Sequence, residues 1–95
     1  MEIKSSSNHM LITGNIKSIQ HYHMISQELE KLLQRASNIQ IHIIDSISIT
    51  SSIIGYFCKL VTEQEKTLSL FIQDDGLHEL LDDLNLLELL NVQKI

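Results

Sequence analysis

The sequence predicts an α/β domain: a mixed, mostly parallel sheet of four to five strands with three to four helices. Three observations predict it. Two short apolar runs, Ile39 to Ile44 and Leu68 to Ile72, have the length and content of strands covered on both faces. Two longer segments, one opening at Ser18 and one near Ser51, carry apolar residues at helical spacing. The two kinds of segment alternate, and strands joined by helices of this length pair in parallel through right-handed crossovers.

Met1 to Lys4 reads as a short strand and Ser5-Ser6-Ser7-Asn8 as a turn. His9 to Thr13 reads as a second strand, ended by Gly14-Asn15, so the chain opens on a hairpin. Ser18 to Ala36 is a helix: Ile25, Leu29, Leu32, Leu33 and Ala36 fall on one face of a 3.6-residue period. Ser37-Asn38 closes it, and Ile39 to Ile44 is the clearest strand, short and β-branched. Ser51 or Ser52 then caps a second helix, whose stripe Ile53, Ile54, Phe57, Cys58 and Val61 is expected in the core. Leu68 to Ile72 is another inner strand, and Asp74-Asp75-Gly76 a turn and helix start. Leu77, Leu80 and Leu81 make an amphipathic third helix with Asp82-Asp83 exposed, and Leu84 to Leu90 continues as a further helical turn. Val92 to Ile95 is a final short strand. With three main helices, part of one sheet face is expected to stay open. There is no internal repeat or linker, so residues 1–95 are expected to form a single domain.

Composition narrows the function classes. A chain of 95 residues with 43% hydrophobic content can bury a core, which argues against wholesale disorder. The net charge of −5 provides no cationic footprint for nucleic acid or an anionic membrane. Lys31 and Arg35 are the one close basic pair. One cysteine, Cys58, permits no internal disulfide and no cysteine-based zinc site, which fits a reducing cytoplasm. Met1 to Asn8 lacks the apolar segment of a signal peptide, and no apolar run approaches the ~20 residues of a membrane span.

The candidate site is Thr50-Ser51-Ser52-Ile53-Ile54-Gly55, which follows a strand and a short loop and opens a helix. A hydroxyl there can cap the helix, and the same hydroxyl can accept a phosphate, whose charge of about −1.5 to −2 is tolerated at a helix N-terminus. Other chemistry-bearing residues have plainer readings. His21 and His23 lie on opposite sides of a helix and cannot share a metal, and His9, His42 and His78 are scattered. Cys58 sits on the apolar stripe of the second helix as a small core residue. Asp74-Asp75 and Asp82-Asp83 lack calcium-loop spacing and read as a helix start and a solvated face. The leucines between Leu84 and Leu90 close the core, and any exposed remainder is a docking patch or dimer surface. Gly14 and Gly55 stand alone, so no Gly-rich phosphate loop exists. No catalytic constellation, metal site or cofactor is expected.

Three segments carry a resemblance: Leu11-Ile12-Thr13-Gly14 with Ile16, Thr50 to Gly55, and Leu80-Leu81-Asp82-Asp83-Leu84-Asn85-Leu86. In order and spacing they resemble the STAS domain, the family of bacterial anti-sigma-factor antagonists, over almost the whole chain. Where that family has Asp-Ser-Ser-Gly-Leu-Gly, this chain has Thr50 in place of the acid and Ile53 in place of the first glycine; Gly55 matches the second. The acid usual after the strand-Gly turn is replaced near Lys17, and the acid at the strand end corresponds to His42 or Asp45. The resemblance implies a non-enzymatic, cytoplasmic interaction domain, monomeric or weakly dimeric. Its implied partners are an anti-sigma factor or GHKL-type serine kinase and a PP2C-type phosphatase. Ser51 matches the serine phosphorylated in the family, with Ser52 and Thr50 as neighbouring alternatives. The partner surface would include Gly14, Asn15, Lys17, Ser18, Ser46, Ser48, Thr50, Ser51, Ser52 and Tyr56. A second reading keeps the fold without the switch: a constitutive, non-phosphorylated STAS subunit of a transporter or signalling scaffold. Thr50 and Ile53 favour the second reading, the intact hydroxyl pair the first.

Overall fold

A computed structural model describes residues 1–95. Strands β1 (Glu2–Ser6) and β2 (His9–Thr13) form an antiparallel hairpin. Helix α1 (Ile19–Leu33), strand β3 (Asn38–Ile44), helix α2 (Ser51–Thr62), strand β4 (Thr67–Ile72), helix α3 (Asp75–Asp83) and strand β5 (Gln93–Lys94) follow. One five-stranded sheet has the order β1-β2-β3-β4-β5, and every pair after the hairpin is parallel. The expected α/β class with a mostly parallel sheet is what the chain adopts.

Register follows from side-chain alternation. Met10 and Ile12 stand opposite Ile41 and Ile43, which stand opposite Leu70 and Ile72. All six are buried, so a one-residue slip in any pair would turn an apolar row to solvent. The helices complete that core with Ile25, Leu29 and Leu32, with Ile53, Phe57 and Leu60, and with Leu77 and Leu81. Ile16 and Leu90 close it from loops.

The sheet is covered on one face only. β3 and β4 alternate buried with half-exposed residues, so Gln40, His42 and Ile44, and likewise Ser69 and Phe71, face away from the helices. The expectation that these strands are covered on both faces is therefore corrected. The reason is topological. Strands β2 to β5 are added in one direction, and crossovers of the usual right hand then place every helix on the same side.

Boundaries shift for identifiable reasons. β1 runs on to Ser6 because Ser5 and Ser6 pair with Met10 and His9, leaving Ser7-Asn8 as the turn, with Ser7 at φ 51°. α1 stops at Leu33, short of the expected Ala36, as Arg35 N–H turns to the Leu32 carbonyl 3.0 Å away. The stripe of α2 includes the buried Leu60, while Ile54, Cys58 and Val61 are half-buried at its margins. Burial raises the Cys58 thiol above its ordinary range, which disfavours the thiolate. Asp74 caps α3, its carboxylate accepting from Leu77 N–H at 2.9 Å, as its sequence position predicts. Leu84 to Leu90 does not extend α3, because Asn85 takes φ 60°, but a single helical turn closed by Leu90 N–H to the Leu86 carbonyl at 3.1 Å carries Leu90 into the core. β5 is confined to Gln93–Lys94 within the expected Val92–Ile95. No helix is long and apolar enough to cross a membrane.

Candidate functional site

Two loops leave the carboxyl ends of neighbouring parallel strands: residues 14–18 after β2 and 45–50 after β3. Each runs directly into a helix, so the N-termini of α1 and α2 lie side by side. Hydrogen bonds join the loops. Gly14 N–H donates to the Ile44 carbonyl at 2.9 Å, Ile47 N–H to Asn15 Oδ1 at 2.9 Å, and Ile16 N–H to the Ser48 carbonyl at 3.3 Å. Ser48 Oγ returns a 3.4 Å bond to the Ile16 carbonyl. Ile16 is fully buried beneath this seam. Gly14 sits at φ 97°, where a Cβ would also come within 3.2 Å of Met1 Cα, so the turn requires glycine.

Each helix mouth is capped by the residue just before it. Ser18 Oγ accepts from His21 N–H at 3.1 Å, and His21 Nδ1 accepts from Lys17 N–H at 3.1 Å. That second bond fixes the neutral His21 ring with its proton on Nε2. Thr50, in extended conformation, accepts the Ile53 N–H on Oγ1 at 3.3 Å. The expected cap, Ser51 or Ser52, is thereby corrected to Thr50: the chain is still extended there, and Ser51 is already the first helical residue. Ser51 and Ser52 are both exposed, and neither hydroxyl makes a hydrogen bond within the chain. No acidic residue occupies the first turn of α2.

Of the residues proposed for the partner surface, Lys17, Ser18, Thr50 and Ser52 line one shallow depression of 180 Å³ between the helix mouths, together with Ile19 and Tyr22. Ser51 stands beside it on α2. Gly14, Asn15 and Ser48 shape the seam from half-buried positions. Two assignments change. Ser46 is 1% exposed and donates to the Ser48 carbonyl at 2.9 Å, so it braces the loop from inside and presents nothing to a partner. Tyr56 is half-buried between the helices: its hydroxyl donates to Glu30 at 2.6 Å and its ring meets Tyr22 edge-on at 5.9 Å. Burial, and then the Glu30 carboxylate, push that hydroxyl well above the ordinary tyrosine range. Its main contact is therefore between α1 and α2.

Two exposed apolar residues absent from the sequence-derived surface lie beside it. Ile47 is 72% exposed and Ile19 is 64% exposed, the most open large apolar side chains in the molecule. They flank the two helix mouths. Ile19 breaks the apolar period of α1, a signal legible in the sequence; Ile47, in a loop, offered none. Asp45 stands exposed at the end of β3 with φ 52°, its N–H held by Gln73 Oε1 at 2.8 Å, whereas His42 lies on the open sheet face. Of the two positions matched to the family's acid, only Asp45 borders the loop. No group of three or more His, Cys, Asp or Glu is arranged to hold a metal ion.

No family model, curated protein or solved structure matches the chain.

Proposed function

We propose that this chain is a non-enzymatic regulatory interaction domain of the STAS type, acting in the cytoplasm. In this reading it binds an anti-sigma factor or GHKL-type serine kinase through the two joined loops, and phosphorylation of Ser51 releases it. The observation that carries the reading is Ser51 itself: an exposed, unbonded hydroxyl at the first position of a helix, beside an apolar rim. The free N–H groups and dipole of α2 favour a phosphate there within the domain. A partner that covers Ile19 and Ile47 must desolvate that phosphate, so binding weakens with no change of fold. A PP2C-type phosphatase would restore the binding form.

Thr50 favours a second reading, a constitutive subunit of a transporter or signalling scaffold. A hydroxyl rather than an acid caps α2, so the local charge differs from that of the family's phosphorylated segment. Phosphopeptide mapping of the chain from its native cells, with affinity capture by Ser51→Ala and Ser51→Asp variants, separates the two. The switch predicts phosphate on Ser51, capture of a serine kinase by the Ala variant, and at least tenfold less capture by the Asp variant. Unmodified Ser51 across growth conditions, with equal capture by both variants, would overturn it in favour of the constitutive subunit.

A further inference from the structure

The acidic charge of this chain is not spread evenly along it. Residues 1–73 hold six acidic and six basic side chains, whereas residues 74–95 hold six acids and one base. The whole net charge of −5 therefore belongs to α3 and the segment after it. No Lys or Arg occurs between Lys66 and Lys94, and Lys94 pairs with Asp75 at the start of α3. Glu79, Asp82, Asp83 and Glu88 are exposed and form no ion pair within the chain.

Two features of α3 distinguish this region from a merely solvated face. One is electrostatic. The carbonyl end of a helix favours bases in its last turn; α3 has none there and carries Asp82 and Asp83 instead. Alone, the two acids work against the helix, and a cation laid over them removes that repulsion. In natural chains, local rules broken without a compensating contact occur mainly at functional sites. The other feature is apolar. Leu80 and Leu84 are 41% and 47% exposed, one turn apart, with the Leu84 N–H donating to the Leu80 carbonyl at 3.1 Å. No other exposed large apolar pair in the molecule has this spacing on a helix. Glu79 and Asp83, also one turn apart, form the adjoining ridge. At the helix end, Asp82, Asn85, Leu87 and Glu88 line a hollow of about 280 Å³. Two carboxylates beside a leucine suit a Lys or Arg side chain, which has an apolar stem and a cationic head.

We propose that this face docks a basic amphipathic helix of a partner protein, with apolar anchors on Leu80 and Leu84 and Lys or Arg side chains meeting the surrounding acids. Charge complementarity selects that occupant. A second copy cannot stack the same face here, because each copy brings the same unpaired acids. Nucleic acid and an anionic membrane are repelled for the same reason. No three acidic, His or Cys side chains are gathered to hold a metal ion. A wholly polar polycation leaves the two leucines uncovered. None of these residues lines the depression between the helix mouths, so the proposal stands whether or not Ser51 is a switch.

A synthetic peptide titrated into the isotope-labelled chain and followed by NMR tests this. The peptide has about 18 residues of Leu, Lys and Ala, enough for a stable amphipathic helix, with leucines on one face and lysines flanking them. A scrambled isomer of the same composition, and spermine, supply charge without the pattern. The expected result is saturable amide shifts confined to residues 77–90, with a Kd on the order of 10–100 µM at low salt and binding at least tenfold weaker for the isomer and for spermine. A Leu80→Gln, Leu84→Gln variant and an Asp82→Asn, Asp83→Asn variant should each weaken binding about tenfold with unchanged circular-dichroism spectra, the second also flattening the salt dependence. No saturable binding up to about 1 mM, shifts centred elsewhere, equal binding by the isomer or spermine, or full binding by either folded variant would each overturn the proposal.

Discussion

Three consecutive hydroxyl residues, Thr50, Ser51 and Ser52, divide into one helix cap and two exposed hydroxyls. Thr50 spends its oxygen on a backbone N–H, whereas Ser51 and Ser52 are both unbonded, Ser52 bordering the depression with Lys17. Their stability effects should separate accordingly. Thr50→Ala removes a helix cap and should cost about 1 kcal/mol, whereas Ser51→Ala should stay within about 0.5 kcal/mol. Urea denaturation of the two variants measures this, and the reverse ranking would mean that Ser51 is the cap. The sequence reading puts the cap on Ser51 or Ser52 and misses Thr50 by one residue, because all three side chains can accept the bond. The choice is made by the path of the preceding loop, which the Ile16–Ser48 and Asn15–Ile47 bonds hold extended up to Thr50. Ser46 shows the same limit. A serine between Asp45 and Ile47 reads as a surface residue, and only the fold reveals its hydroxyl turned inward to the Ser48 carbonyl.

At the scale of the elements, helices and strands follow the apolar period closely. What the period leaves open is which side of a strand is wet. In Ile39-Gln40-Ile41-His42-Ile43 the alternation of a half-covered strand is present, but Ile44 extends the run and gives it the look of a fully buried one. In β4, Phe71 hides the alternation, because it sits on the open side stacked on His42. Substitutions on adjacent residues resolve the two faces. Leu70→Ala deletes a fully buried side chain and should destabilise by about 2–5 kcal/mol. Ser69→Ala, one residue earlier on the open side, should change stability by about 0.5 kcal/mol or less. Equal effects in thermal or urea unfolding would indicate a second covered face.

At the scale of the whole molecule, adding parallel strands in one direction leaves two distinct liabilities, a bare face and a bare edge. A sheet that reversed direction after its first strands would send helices to both sides; this one does not, and no local pattern announces that choice. The β1 edge is protected by the charges of Glu2 and Lys4. The β4 edge has no charge of its own between Thr67 and Ile72 and relies on the last few residues of the chain. There the Leu90 carbonyl accepts from Leu70 N–H at 3.2 Å, Asn91 Nδ2 donates to the Leu68 carbonyl at 2.9 Å, and Ile95 N–H to the Ile72 carbonyl at 3.0 Å. Lys94 adds a 3.1 Å ion pair to Asp75, largely solvent-exposed and so of small energetic weight. The value of this C-terminal strap is therefore less in the bonds it makes than in the strand it hides. Removing residues 91–95 should lower the unfolding midpoint by only a few degrees while exposing an uncharged apolar edge that pairs readily with other chains. Light scattering of the shortened chain at 37 °C should rise with time under conditions in which the full chain stays clear, and Ser69→Lys, which places a charge on that strand, should suppress the rise. A shortened chain that stays clear would mean that Leu84 to Leu90 alone suffices to cover β4.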